Sequence, residues 1–181
     1  MKKIILCLLV CTVSYSLKAQ KFFTRNGEIS FNSKTPAETI QAENKQVLAI
    51  IDPEAKQVAF NLLIKGFLFQ KQLMQDHFNE EVMESDKFPK ASFTGKITDA
   101  IDLAKIGKYH VHITGQLTMH GITKPISAEA NIDVSSSAIK AACAFKVAYE
   151  DYNIKMPSVL QNNISKTIAI SVNADCLPMA K

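Results

Sequence analysis

Four histidines are the side chains in this 181-residue chain best suited to acid–base or metal chemistry near neutral pH. His110 and His112 stand two apart in K-Y-H-V-H-I, so on a strand both rings leave the same face. Two such imidazoles can bind a metal. They fall on a polar face, though, and no third ligand lies close by in sequence, so no metal site is assigned. His120 precedes Gly121 in T-M-H-G-I-T, which assigns it to turn geometry or to a hydrogen bond into a neighbouring loop. His77 sits among apolar residues at helical spacing, which leaves two readings open: contact with a ligand's polar head group, or a packed, hydrogen-bonded structural histidine. No G-x-S-x-G, H-E-x-x-H, phosphate loop or dinucleotide fingerprint is present, so no catalytic residue and no cofactor is assigned. Arg25 is the only arginine, there is no tryptophan, and no basic stripe runs along the chain; nucleic acid is not an expected partner.

The elements that must position these side chains alternate apolar and polar residues nearly throughout. Strands are expected over Arg25 to Ser33, Glu38 to Ile51, Lys56 to Lys65, Lys90 to Thr98, Lys108 to Thr118, Ile122 to Val134, Ala138 to Tyr149 and Ser165 to Asp175. Short turns join several of them, at Asp52-Pro53-Glu54, His120-Gly121 and Ser135-Ser136-Ser137, so sequential strands should pair antiparallel. Half-polar strands need only one buried side, and a long meander must close or double over to avoid raw edges. An eight-stranded antiparallel up-and-down barrel fits best; the pattern alone leaves a β-sandwich open. Phe69 to Ser85 breaks the alternation, with Leu73, Met74, His77, Phe78, Val82 and Met83 at helical spacing. It reads as a helical segment between the third and fourth strands that caps one barrel end. Tyr152 to Asn163 reads as a long loop, a candidate mobile rim.

The first 19 residues read as a secretory leader: Lys2 and Lys3, an apolar run from Ile4 to Val13, and a cleavage region ending at Ala19. Its removal takes three of the 21 basic residues and no acid, which leaves a net charge near +1 against 17 acidic residues. Residues 20–181 then form a single domain in the periplasm, with no segment apolar and long enough to cross a membrane as a helix. Cys143 and Cys176 survive cleavage. If the last two strands pair Phe145 with Ala174 and Val147 with Val172, the cysteines face each other; a bridge and two free thiols both stay open. A homodimer is also left open.

Three stretches resemble a known family, the YceI-like proteins. The first is Met74-Gln75-Asp76-His77-Phe78 with Ser85-Asp86-Lys87-Phe88-Pro89-Lys90-Ala91-Ser92-Phe93. The second and more specific is the run containing Gly115, Leu117, Thr118, His120, Gly121, Thr123 and Lys124. The third is the strand and loop after Ala142. The resemblance covers essentially the whole chain after the leader. It implies a lipocalin-like barrel, secreted, that holds an isoprenoid lipid in its apolar interior and catalyses nothing.

The inward apolar set is then the expected binding surface: Phe31, Phe60, Leu62, Ile64, Phe93, Val111, Ile113, Leu117, Phe145, Val147, Tyr149, Ile170 and Val172. Small inward residues interleave with these, among them Ala91, Gly95, Gly115, Ala128, Ala130 and Ala174, which favours space inside. Two other readings remain. One is a solidly filled barrel whose partner is another protein, and the other an enzyme on a lipid-like substrate with His77 or His120 as acid or base.

Overall fold

The computed structural model describes residues 20–36, 39–158 and 163–179. The expected leader over Met1 to Ala19 lies outside them. The strands are β1 (Phe22–Lys34), β2 (Thr39–Asp52), β3 (Gln57–Leu63), β4 (Leu68–Phe69), β5 (Lys90–Ile97), β6 (Gly107–Met119), β7 (Ile122–Val134), β8 (Ile139–Ala148) and β9 (Thr167–Pro178), with one helix, α1 (Gln72–His77). Neighbours run β1-β9-β8-β7-β6-β5-β3-β2, every pair antiparallel, and β1 also pairs with β2. That last pairing closes an eight-stranded barrel and removes both sheet edges. The eight strands expected from alternation are all present.

The ninth, β4, has a local cause. After Leu63 the chain leaves β2 in a 3-10 turn over Ile64–Gly66, then returns to pair Leu68 with Glu43 and Phe69 with Ala42. The break strands backbone groups, and the buried Asn44 bonds them. Its amide nitrogen donates to the Leu63 carbonyl at 2.9 Å, and its Oδ1 accepts from the Gln46 N–H at 2.8 Å. A Cβ on Gly66 would lie 2.6 Å from the Asn44 amide nitrogen, so the turn has no room for a side chain there. Register shifts in β1 opposite this point move the inward set of β2 from Ile40, Ala42 and Asn44 to Val47, Ala49 and Ile51. This slip is why Glu38 to Ile51 reads as a mixed strand in the sequence.

One barrel end is solid. Leu103, on the loop between β5 and β6, is buried against Ala49, Ile51, Val58, Val111, Ile132, Val134 and Ile139. Tyr109 holds that loop by donating its hydroxyl to the Lys105 carbonyl at 2.9 Å. At the other end two covers lie over the barrel. One is α1 and the single π turn that continues it, Phe78–Val82; the other is formed by Tyr149, Tyr152, Ile154, Met156 and Ile164. The helical segment is more irregular than its periodicity suggests. Met74, His77 and Phe78 face the barrel, while Leu73 is 66 % exposed. The Met83 N–H donates to the Phe78 carbonyl at 2.8 Å, five residues back, and the wider turn brings Phe78, Val82 and Met83 all against the barrel. A continuous α-helix would rotate Met83 away from that face.

The last hairpin differs from expectation. Phe145 pairs with Ile170, Val147 with Ile168, Cys143 with Val172 and Ile139 with Cys176. The register is displaced by four residues, which preserves which side chains point inward but separates the cysteines. Both thiols are free. Alternation constrains parity, not register, so a slip by an even number leaves no mark on the apolar pattern.

Candidate functional site

Between the packed base and the two covers the barrel encloses a cavity of about 220 Å³. Its wall is apolar apart from Ser33, Ser92, His77 and the hydroxyl of Tyr149. Phe31, Phe60, Leu62, Ile64, Phe93, Ile113, Leu117, Phe145, Val147, Tyr149, Ile170 and Val172 all line it. Val111 does not; it is wholly buried in the base cluster with Leu103 and Ile132. The reason is axial position. Val111 and Ile113 share a face of β6, but Val111 lies closer to the plugged end, where no space remains.

The inward faces of the strands supply most of this wall, and the covers supply the rest. From the helical cover come Met74, Phe78, Val82 and Met83; from the second come Ile154, Met156 and Ile164. An aromatic cluster joins the first cover to the barrel. Phe78 lies 5.5 Å from Phe31, 5.6 Å from Phe67 and 5.0 Å from Phe69 between ring centroids. Sequence periodicity misses Ile154, Met156 and Ile164, because they fall in a loop with no regular repeat. Their only signal is an apolar residue where a solvated loop would carry a polar one.

His77 stands at the rim, its Nδ1 2.7 Å from Glu81 Oε1 and its ring against the cavity edge. His120 is buried in the two-residue loop between β6 and β7. It has φ +52° and is followed by Gly121 at φ +74°, the two left-handed residues of a tight hairpin. Its ring reaches both covers. Nδ1 donates to the Tyr152 carbonyl at 3.0 Å, and Nε2 lies 3.1 Å from Glu84 Oε2 at the end of the helical cover. Phe88 packs on the ring with centroids 4.3 Å apart. The expected bond into a neighbouring loop is therefore two bonds, and they join the barrel to each cover.

Cys143 lines the cavity, and burial pushes its thiol up to about 11. Burial, aided by the Asp175 charge, takes Cys176 to about 11 as well. Burial and then the Asp151 charge also raise the Tyr152 phenol. At pH 8 roughly one thiol in a thousand is then a thiolate. Iodoacetamide should leave both cysteines unmodified in the folded protein and label both after unfolding without reductant, read by intact mass. Retention of a bridged, unlabelled pair after unfolding would contradict the register of β8 and β9.

A closed antiparallel barrel of eight strands with an apolar, capped interior has the lipocalin-like fold. Within that fold class the chain belongs to the YceI-like family, whose model, described as the YceI-like domain, matches residues 13–176. A solved structure described as a polyisoprenoid binding domain from Saccharophagus degradans superposes with TM-score 0.74 at 15 % identity, over 89 % of this chain and 99 % of that one. BcnA of Burkholderia cenocepacia gives TM-score 0.67 at 16 % identity, over 81 % and 94 %. A mutant YceI protein from Campylobacter jejuni gives 0.63 at 17 %, with both chains fully covered. No curated protein sequence matches the chain significantly.

Proposed function

We propose that this protein is a non-catalytic carrier or store for an isoprenoid-type lipid, working in the periplasm after removal of the leader. The observation that carries the reading is the void itself. The inward side chains of the strands and the two covers surround open space that a filled barrel would not leave. An apolar chain entering it gains roughly 25 cal/mol per Å² of surface removed from water and needs almost no polar partner along its length. The Saccharophagus domain that shares the fold is described as binding polyisoprenoids, which supports the same ligand class here.

His77 at the rim of the cavity is placed to meet a polar head group.

Native mass spectrometry of protein purified from its own periplasm, followed by organic extraction, tests the reading. A co-purified isoprenoid is expected, together with saturable binding of long isoprenoids in titration. Recovery of no lipid and no binding in titration would overturn it. Ala128 lines the cavity midway along β7, so Ala128→Trp places an indole in the void. It should weaken isoprenoid binding at least about tenfold, close to the loss of one or two buried methylene contacts, while the thermal midpoint changes little.

A further inference from the structure

The outer wall of the barrel carries a cluster that the cavity does not use. In β6–β7 pairing His112 lies opposite Glu129, and His110 opposite Asn131. Each imidazole is oriented through its Nδ1. His110 Nδ1 lies 3.0 Å from Asn131 Oδ1, and His112 Nδ1 lies 3.2 Å from Asp99 Oδ1. Asp99 is itself held by the His112 backbone N–H, which donates to its Oδ2 at 2.5 Å. With an oxygen acceptor at each Nδ1, the Nε2 of each ring is the atom left to face Glu129. Both Nε2 atoms face one carboxylate: His110 Nε2 is 3.3 Å from Glu129 Oε2, and His112 Nε2 is 3.8 Å from Glu129 Oε1. Two imidazole nitrogens and a carboxylate thus face one another, and a cation placed among them would be met by all three.

We propose that His110, His112 and Glu129 form a site for a divalent transition-metal ion such as zinc, with Asn131 and Asp99 as the outer hydrogen-bond partners that fix the rings. Two imidazoles and a carboxylate are a donor set that suits zinc, and the exposed position leaves the fourth place to water. Oxygen acceptors on the far ring nitrogen are the usual support of a metal-bound histidine. As the side chains stand, no three donors among the described residues converge on one metal position. All three side chains are more than half exposed. The third ligand comes from the neighbouring strand, which is why it is not visible beside H-V-H in the sequence. The site lies outside the cavity and does not depend on what the cavity holds.

Zinc chloride titrated into the untagged protein, followed by calorimetry and by ¹⁵N imidazole NMR, tests this. One zinc per chain is expected, with the Nε2 resonances of His110 and His112 shifting together and those of His77 and His120 unmoved. His110→Gln and His112→Gln should each weaken binding about tenfold or more, and Asp99→Asn by about tenfold through loss of the outer support. Circular dichroism melting confirms that these surface variants fold. Undiminished zinc binding in the H110Q/H112Q double variant, shifts confined to His77, or no zinc uptake at millimolar concentration would overturn the proposal.

Discussion

His120→Ala is expected to lower the unfolding free energy by about 3 kcal/mol. The substitution removes a buried ring and both of its bonds. The Tyr152 carbonyl loses the Nδ1 donor that reaches it, and Glu84 loses its partner at Nε2. A buried polar group left without its bond costs about 1–3 kcal/mol, and the cavity left by the ring adds to that. The consequence extends past the hairpin. Three left-handed residues other than glycine meet at this clasp, with Glu84 at φ +43° and Asn153 at φ +51° beside His120 itself. Such backbone persists where surrounding contacts over-determine it. With the ring gone, both covers lose the bond that ties them to the β6–β7 turn, so ligand exchange should quicken as stability falls. Urea unfolding gives the first effect and stopped-flow displacement of a fluorescent isoprenoid the second. An unchanged unfolding midpoint would show that the clasp contributes nothing to holding the covers.

Gly115→Val is expected to cost more, about 4 kcal/mol, and to shrink the cavity as well. Gly95 and Gly115 are paired directly across β5 and β6, and the Phe93 ring lies over both. A Cβ on Gly115 would sit 2.4 Å from the Thr94 carbonyl oxygen and 2.6 Å from the tip of Phe93. The oxygen belongs to the backbone of the adjacent strand and cannot move without breaking the β5–β6 ladder. The ring can move, but only into the void that Phe93 helps to line. The two glycines therefore let an aromatic ring lie flat on the sheet, a covering of bare strand positions that also sets the shape of the wall. Differential scanning calorimetry should show a lowered midpoint, and the variant should bind isoprenoid weakly even where it remains folded. A variant as stable as the parent would mean that the strands can separate at this point with little penalty.

Much of this protein follows from side-chain period alone. Alternation along eight segments determined an antiparallel all-β architecture, and it assigned every named lining residue to the inward side. His120-Gly121 determined its own turn, because two consecutive left-handed residues with a glycine second are what a two-residue hairpin demands. The helical cover was legible in outline from Leu73 to Met83, though its π turn was not, since Met74, Phe78 and Val82 still follow one another at the ordinary four-residue helical spacing.

What the tertiary structure decided are the quantities that period does not encode. Register is one: a period of two cannot distinguish pairings four residues apart, so only the barrel's closure placed Cys143 opposite Val172 and Cys176 opposite Ile139. Depth along the axis is another. Val111 and Ile113 look alike in sequence, yet Leu103 plugs one level and leaves the next open. Contacts between distant segments are the third. His120 reaches both Glu84 and Tyr152 through packing between segments far apart in the chain. The physical reason is common to all three. Local pattern reports which face of a strand is apolar, whereas register, depth and long-range partners depend on how eight strands meet when the sheet closes on itself.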